Sequence, residues 1–406
     1  MSCDLVRQML KLAPMLKLGF AICLLAIVGC SALGPTSPPD AWMAGEKKPK
    51  RLVIILLKNL TPEATDLNVL PNFQRLKSHS LSFAQASLGH LFPVSSVSHL
   101  VLTTGRFPRH LPLCDDQFWD RSGLLGARNR FYSVNKLSAS DFSKILSPVS
   151  PSLLRKVPGP PNSKLVIAPR TDEAFPLASP TTESRILTGV PPAHLGSEKW
   201  VTDGILSFFN TEPDWRMVLA SFDNPSTDFS SSDEQLGRLL DFLEQKNLLN
   251  ETAIILTSHP TIPTKSTALR YYLKNKDLKS VLKFASQLKT THGISEIYYK
   301  KEISGRFYYI RTFRSSHSKN ETPGLLQSLG SDHSPDVIGF LEGAADNISL
   351  LVWSPNIRFD NPAIRNQVEQ APVRIVDIHP IALELLGLPQ DSSLDGSSLG
   401  IQSLIY

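Results

Sequence analysis

The run Arg51-Leu-Val-Ile-Ile-Leu-Leu-Lys58 constrains the fold of this 406-residue chain more than any other segment. Six consecutive apolar residues that stop abruptly at polar ones read as a strand buried on both faces, the kind found in parallel sheets covered by helices. In such open sheets chemistry is carried at the C-terminal edge of the strands, and at that edge stands Lys58. Residues 217–222 and 252–257 repeat the buried-strand pattern, and the second run ends at Ser258-His259. Helical spacing fills the gaps. Val201, Ile205, Phe208 and Phe209 share a face over 200–210, as do Leu236, Leu239, Leu240 and Leu243 over 234–245. Strands alternating with helices predict a doubly wound, mostly parallel α/β sheet with helices on both faces.

Further elements follow from local signals. Pro71 starts a short helix in the favoured first-turn position, and a strand is expected over 81–86. A Ser-rich turn at 94–98 leads into a helix over 99–104 closed by Gly105. Strand patterns recur at 337–341 and 348–353, and the last helix, over 375–386, stops at Gly387. The Pro-rich stretch 122–192 has too little periodicity for an assignment. Over about 262–335, basic residues far outnumber acidic ones and tyrosines come in pairs (Tyr271-Tyr272, Tyr298-Tyr299, Tyr308-Tyr309), which reads as an inserted cap.

With 41% hydrophobic and 19% charged residues the chain is ordinary globular material, and a net charge of +5 gives no case for nucleic acid. Its N-terminus reads as a targeting segment. Arg7, Lys11 and Lys17 precede an apolar run that is short for a bilayer and suited to a signal peptide over 1–29. The ending Ile27-Val-Gly-Cys30 resembles a bacterial lipobox, which implies an acyl group on Cys30; an ordinary signal peptide or short anchor is the alternative. Met1, Met9 and Met15 all remain open as the start. Residues 30–50, rich in Pro, Gly and Lys, are then a solvated tether, and the domain runs over 51–406. Only Cys114 would remain, so no internal disulfide is expected. The chain is expected outside the cytoplasm, lipid-anchored to the cell envelope, with Ser31 after Cys30 compatible with an outer membrane.

Several pieces in order carry a family resemblance: Leu70-Pro-Asn-Phe-Gln-Arg-Leu76, Phe92-Pro93 with Ser95 to His99, and Thr104-Gly-Arg-Phe-Pro-Arg-His110. The closing segment, Val373 to Pro389 with Asp395-Gly396, completes them. Together they resemble the nucleotide pyrophosphatase/phosphodiesterase branch of the alkaline phosphatase superfamily. The resemblance implies an alkaline-phosphatase-like fold and, in active members, a two-zinc displacement at a phosphodiester by a Ser or Thr nucleophile. Such a site needs about six Asp and His ligands.

The resemblance places the nucleophile at Ser95, four residues before His99, with Ser96 as a substitute because one residue is missing after Pro93. Local chemistry alone favours a different role for Ser95, Ser96 and Ser98, that of helix caps. The ligand positions depart further. Lys58 stands where the resemblance implies a zinc-bridging aspartate, and its ammonium repels a dication. Ser226 replaces another aspartate, which leaves Asp223 and Asp228 as carboxylates that are as easily turn residues. Ser258-His259 keeps the histidine of a pair and lacks its aspartate. No His-Gly turn precedes the strand at 348–353; Thr291-His292-Gly293 falls too early, and Asp332-His333 is a weak pair in a polar loop.

The expected function is therefore a lipoprotein whose phosphodiesterase-like domain has lost most metal ligands. It would be non-catalytic or weakly active, without a cofactor, and would bind an anionic envelope component through Lys58 and the amides near Ser95. The first alternative is an active phosphodiesterase or phosphatase with Ser95 as nucleophile and one zinc or other divalent ion on His259 with Asp223, Asp228 or Asp332. The second is a lipoprotein that binds a protein partner through its loops.

Overall fold

The computed structural model describes residues 48–405, apart from 66–68, 122, 127, 129, 147–151, 180, 193–195, 224–227, 260–267, 292, 316–325, 327–328, 332 and 342–346. The expected signal peptide, Cys30 and most of the tether lie outside the described residues, as do Ser226, His292 and Asp332.

The apolar run at the start forms β1 (Arg51–Lys58), every residue of which is buried. Two short strands follow, β2 (Leu81–Ser82) and β3 (Ala86–Ser87), where one strand was expected. The chain then makes a hairpin from β4 (Gln117–Asp120) and β5 (Arg130–Ser133), and enters the sheet again at β6 (Lys164–Ile167) and β7 (Arg185–Leu187). Next come β8 (Met217–Phe222) and β9 (Thr252–His259). After a four-stranded insertion, β10 (Ala268–Tyr271), β11 (Ile294–Ile303), β12 (Arg306–Arg314) and β13 (Val337–Leu341), the chain returns at β14 (Leu350–Trp353). A two-residue β15 (Val373–Arg374) pairs with β3.

The central sheet has the order β2-β14-β9-β1-β8-β6-β7. Strands β9, β1, β8, β6 and β7 are parallel, and β14 runs antiparallel to β9 and β2. The sheet is thus doubly wound and mostly parallel. Strand β1 lies between β8 and β9, where the winding changes direction, and ligand crevices form at such switch points.

Alternation along β1 explains why six apolar residues are needed. Leu52, Ile54 and Leu56 enter a core with Val97, Leu100 and Val101 of the helix Ser95–Thr104 and with Ile378 and Ile381 of the helix Ile378–Leu385. Val53, Ile55 and Leu57 point to the other face, which the helices Ser197–Thr211 and Ser230–Gln245 cover. Each fully buried side chain contributes about 1.5–3 kcal/mol. Gly204 lets one of those helices sit down on the sheet, because a Cβ there would come within 2.5 Å of Ile167 Cδ1.

The insertion folds as an antiparallel sheet in the order β10-β13-β11-β12. Val337–Leu341 pairs inside it, so this sheet continues past residue 335. The helix Leu278–Leu288, capped by Asp277 through Ser280 N at 2.9 Å, packs Val281, Ala285 and Leu288 against one face of it. No described helix is long and apolar enough to cross a membrane.

Candidate functional site

Three adjacent strands bring their C-terminal ends together. Lys58 ends β1 and is in register with His259, the last residue of β9, while Asp223 directly follows β8. Lys58 is only 8% exposed. Its ammonium forms an ion pair with Asp223 and a second one with Glu173 Oε1 at 3.3 Å. Glu173 is fully buried on the helix Thr171–Leu177, and its other oxygen accepts the Ser221 hydroxyl at 3.0 Å. Burial pushes the Glu173 carboxyl up from 4.5, and the Lys58 charge opposes that shift without cancelling it.

The helix Ser95–Thr104 begins four residues before its expected start, with Val94 at the capping position. None of the three serines caps it. Ser95 is the first helical residue, and its hydroxyl meets His259 Nδ1 at 3.5 Å, at the outer limit of a hydrogen bond. Ser96 is buried, with a hydroxyl that has no hydrogen-bond partner among the described residues. Ser98 meets His90 Nε2 at 3.1 Å. The first intrahelical bond runs from Ser98 N to Val94 O, so the amides of Ser95, Ser96 and Val97 precede it. Gly105, with φ of 63°, ends the helix in the left-handed conformation its sequence position required.

Beside Lys58 these elements enclose a pocket of about 240 Å3. Ser95, Ser96, Asn135, Arg170 and Arg270 are among its lining residues. Arg170 grips Asp172 with both arms of its fork, at 3.0 and 2.6 Å, which holds the guanidinium above its ordinary value. Arg270 divides itself between Asp115 Oδ2 at 2.8 Å and Asp116 Oδ1 at 2.6 Å, and lies over the Phe92 ring. The pocket is rich in cations, each already matched to a carboxylate.

Behind it sit three buried histidines. His99 Nδ1–H donates to the Glu173 carbonyl at 3.3 Å, and its ring meets that of His259 edge-on at 4.8 Å. Burial pushes His99 down to about 3 and His90 to about 4. His259 is held well below 6.5 by burial first, and then by unfavourable electrostatics with its neighbours His99, Lys58 and His90. All three are neutral imidazoles at ordinary pH.

These residues do not fit a zinc site. Among the described residues no group of three or more His, Cys, Asp or Glu converges as metal ligands. The point shared by Asp223 and Glu173 is taken by the Lys58 ammonium. Asp228 is exposed and accepts Ser230 N at 3.0 Å and Ser230 Oγ at 2.6 Å, as a turn before the helix Ser230–Gln245. His333 belongs to the insertion, where its carbonyl accepts the Cys114 thiol at 3.4 Å and its ring meets Phe118 edge-on. Sequence reasoning brought Lys58, Ser95, Ser96, His259 and Asp223 to one place, and the structure places them there.

No protein-family model matches the chain, and no curated protein matches it by sequence. Solved structures do. Wild-type alkaline phosphatase PafA superposes with a TM-score of 0.60 at 10% identity, over 89% of this chain and 100% of that one. Murine ectonucleotide pyrophosphatase/phosphodiesterase 5, as an inactive variant in complex with AMP, gives 0.56 at 13% identity, over 88% of this chain and 100% of that one. The human protein of the same name gives 0.52 at 16% identity, over 88% and 99%. The chain has the alkaline-phosphatase-like α/β fold of these structures. In this alkaline-phosphatase-like domain, the strand edge that the fold uses for ligands carries an ammonium held by two carboxylates.

Glu173, Arg170, Asp172 and Arg270 escaped the sequence reading. The first three follow β6, a four-residue strand in the Pro-rich stretch left unassigned, and Pro176 inside the next helix obscured its period. The signal that was there is local: Leu165-Val-Ile-Ala168 ends at Pro169 and a charged run, Arg170-Thr-Asp-Glu173.

Proposed function

We propose that this chain is an exported cell-envelope lipoprotein, anchored through Cys30, whose phosphodiesterase-like domain binds an anionic envelope ligand without two-metal hydrolysis. One observation carries the reading: the Lys58 ammonium sits between Asp223 and Glu173 at the C-terminal edge of the central strands. A tethered ammonium supplies positive charge but no open coordination position, so it can neither activate a nucleophile nor steady a leaving oxygen as a metal does. It can still attract an anion. The amides at the start of the helix Ser95–Thr104, the partnerless Ser96 hydroxyl and the Arg170 and Arg270 guanidinium groups all border the same pocket. A phosphate, sulfate or carboxylate group is the matching ligand chemistry. Its affinity is modest, because every cation already shares its charge with a carboxylate.

The contact between Ser95 and His259 favours a second reading, an active hydrolase with Ser95 as nucleophile. Proton transfer argues against it. His259 would have to become an imidazolium in a fully buried position beside Lys58, and its basicity is suppressed for that reason. Its Nε2 has no partner among the described residues to steady the charge.

The test is calorimetric titration of the protein with sulfate in a chelator, beside turnover of bis(4-nitrophenyl) phosphate with zinc or manganese added. Saturable sulfate binding that weakens in Arg270→Gln, with no turnover above background, is expected. Metal-stimulated turnover abolished in Ser95→Ala would overturn the reading in favour of the second. Absence of sulfate binding would remove the anionic ligand.

A further inference from the structure

A second concavity, of about 960 Å3, opens between the cap and Arg109–His110, and it shares no lining residue with the pocket beside Lys58. It runs along β12, the edge strand of the cap sheet. Its walls are hydrocarbon and aromatic: Ile303, Phe307, Tyr308, Ile310, Leu326 and Leu329. Leu326 and Leu329 are buried in a cluster with Tyr298 and Phe340. Ile303 and Tyr308 are 44% and 45% exposed, so the upper walls are apolar surface left in water.

Three basic side chains stand on its rim, Arg109, His110 and Arg306, and no acidic side chain lines it among the described residues. Arg109 and His110 share Asp395, at 2.6 and 3.6 Å. Arg306 is exposed and has no ion-pair partner among the described residues. Apolar walls of this size with a few polar groups at one end are the usual form of a small-molecule site.

The chemistry of the walls narrows the occupant. A glycan needs hydrogen-bond partners along its length, and four aliphatic side chains offer none. An inorganic anion has no use for such walls. An added peptide strand is hindered at the Phe307 end of β12, where a Cβ on Gly330 would come within 3.1 Å of the Phe307 carbonyl oxygen. What fits is a hydrocarbon chain with a negative end.

We propose that this groove binds a single-chain anionic amphiphile of the fatty-acid type, its chain against Ile303, Tyr308, Leu326 and Leu329 and its anionic head at Arg306. The site is independent of the pocket beside Lys58. The test uses the full chain carrying Cys30→Ser, so that no acyl group is attached, and titrates it with laurate, dodecanol and butyrate. Laurate binds at one site per chain, and butyrate does not bind. Arg306→Glu weakens laurate about tenfold or more, while leaving dodecanol unchanged. The double variant Ile303→Ser, Tyr308→Ser weakens both ligands; these residues are half-exposed, so the fold survives, which thermal unfolding checks. Saturating sulfate does not displace laurate. Absence of saturable laurate binding overturns the proposal, as does laurate affinity unchanged in both variants or butyrate binding as tightly as laurate.

Discussion

Lys58 is a cation whose partners come from two other elements, so removing it tests whether it holds the site together. In Lys58→Met the buried Glu173 carboxyl loses its nearer cation and keeps only the longer contact with Arg170 Nε at 3.9 Å, while facing Asp223. Breaking such a pair from one side costs about 3 kcal/mol near neutral pH, read from urea unfolding. The cost depends on pH in a stated direction. Glu173 titrates above its ordinary 4.5, so its contribution is most favourable below that value and is lost as pH rises through the raised one. The deficit of the variant is therefore smaller at pH 5 than at pH 7. An equal deficit at both would show that Glu173 does not carry the uncompensated charge. At this scale the sequence was informative about identity and silent about pairing. Lys58 was conspicuous at the end of an apolar run, but its partner Glu173 lies 115 positions later (173 − 58) and announces itself by no periodicity.

Elements were legible where one period dominated. The runs of β1, β8 and β9 are mostly apolar and came out as strands, and the helix Ser230–Gln245 followed from its leucines. The helix Ser95–Thr104 was misjudged at its start, because serines before a helix usually cap it. Here they fill its first turn, turned toward the pocket and the buried histidines. Its far end is set by Gly105, whose φ of 63° suits glycine and whose added Cβ would meet His379 Cβ and Leu394 Cδ2 at 3.0 Å. Gly105→Ala is expected to cost more than about 1 kcal/mol in thermal or urea unfolding. A change within a few tenths of a kcal/mol of zero would mean that this helix end is not fixed as described. β6 was missed for the opposite reason: four residues in Pro-rich surroundings carry too little pattern, although the strand is fully buried between β8 and β7.

The whole molecule is built around neutral histidines, and that dictates its response to acid. His90, His99, His259 and His379 are all buried and all depressed below 6.5. A depressed histidine contributes stability above its unfolded value that is lost as pH falls toward the folded one. Each such group contributes about 1.4 kcal/mol per pH unit, so four together approach about 5 kcal/mol per unit. Glu173 and Asp115, both raised first by burial, act in the opposite sense, but they are two groups against four, and the histidines win. Urea unfolding is expected to show stability falling steeply from pH 6.5 toward pH 4; a flat profile between pH 7 and pH 5 would contradict the burial of these rings. The overall fold was readable because a doubly wound sheet repeats one pattern many times. The sequence showed its site only as departures from the ligands that the resemblance implies, and the ion pairs found there join distant segments.

That an ammonium-centred ion-pair network stands where a metal would is the central claim, and metal content tests it most directly. The purified protein is dialysed against excess zinc, passed through a desalting column and measured by elemental analysis. No retained zinc is predicted, because the Lys58 ammonium already occupies the point between Asp223 and Glu173. One or two zinc ions per chain, lost in His259→Ala and Asp223→Asn, would contradict it.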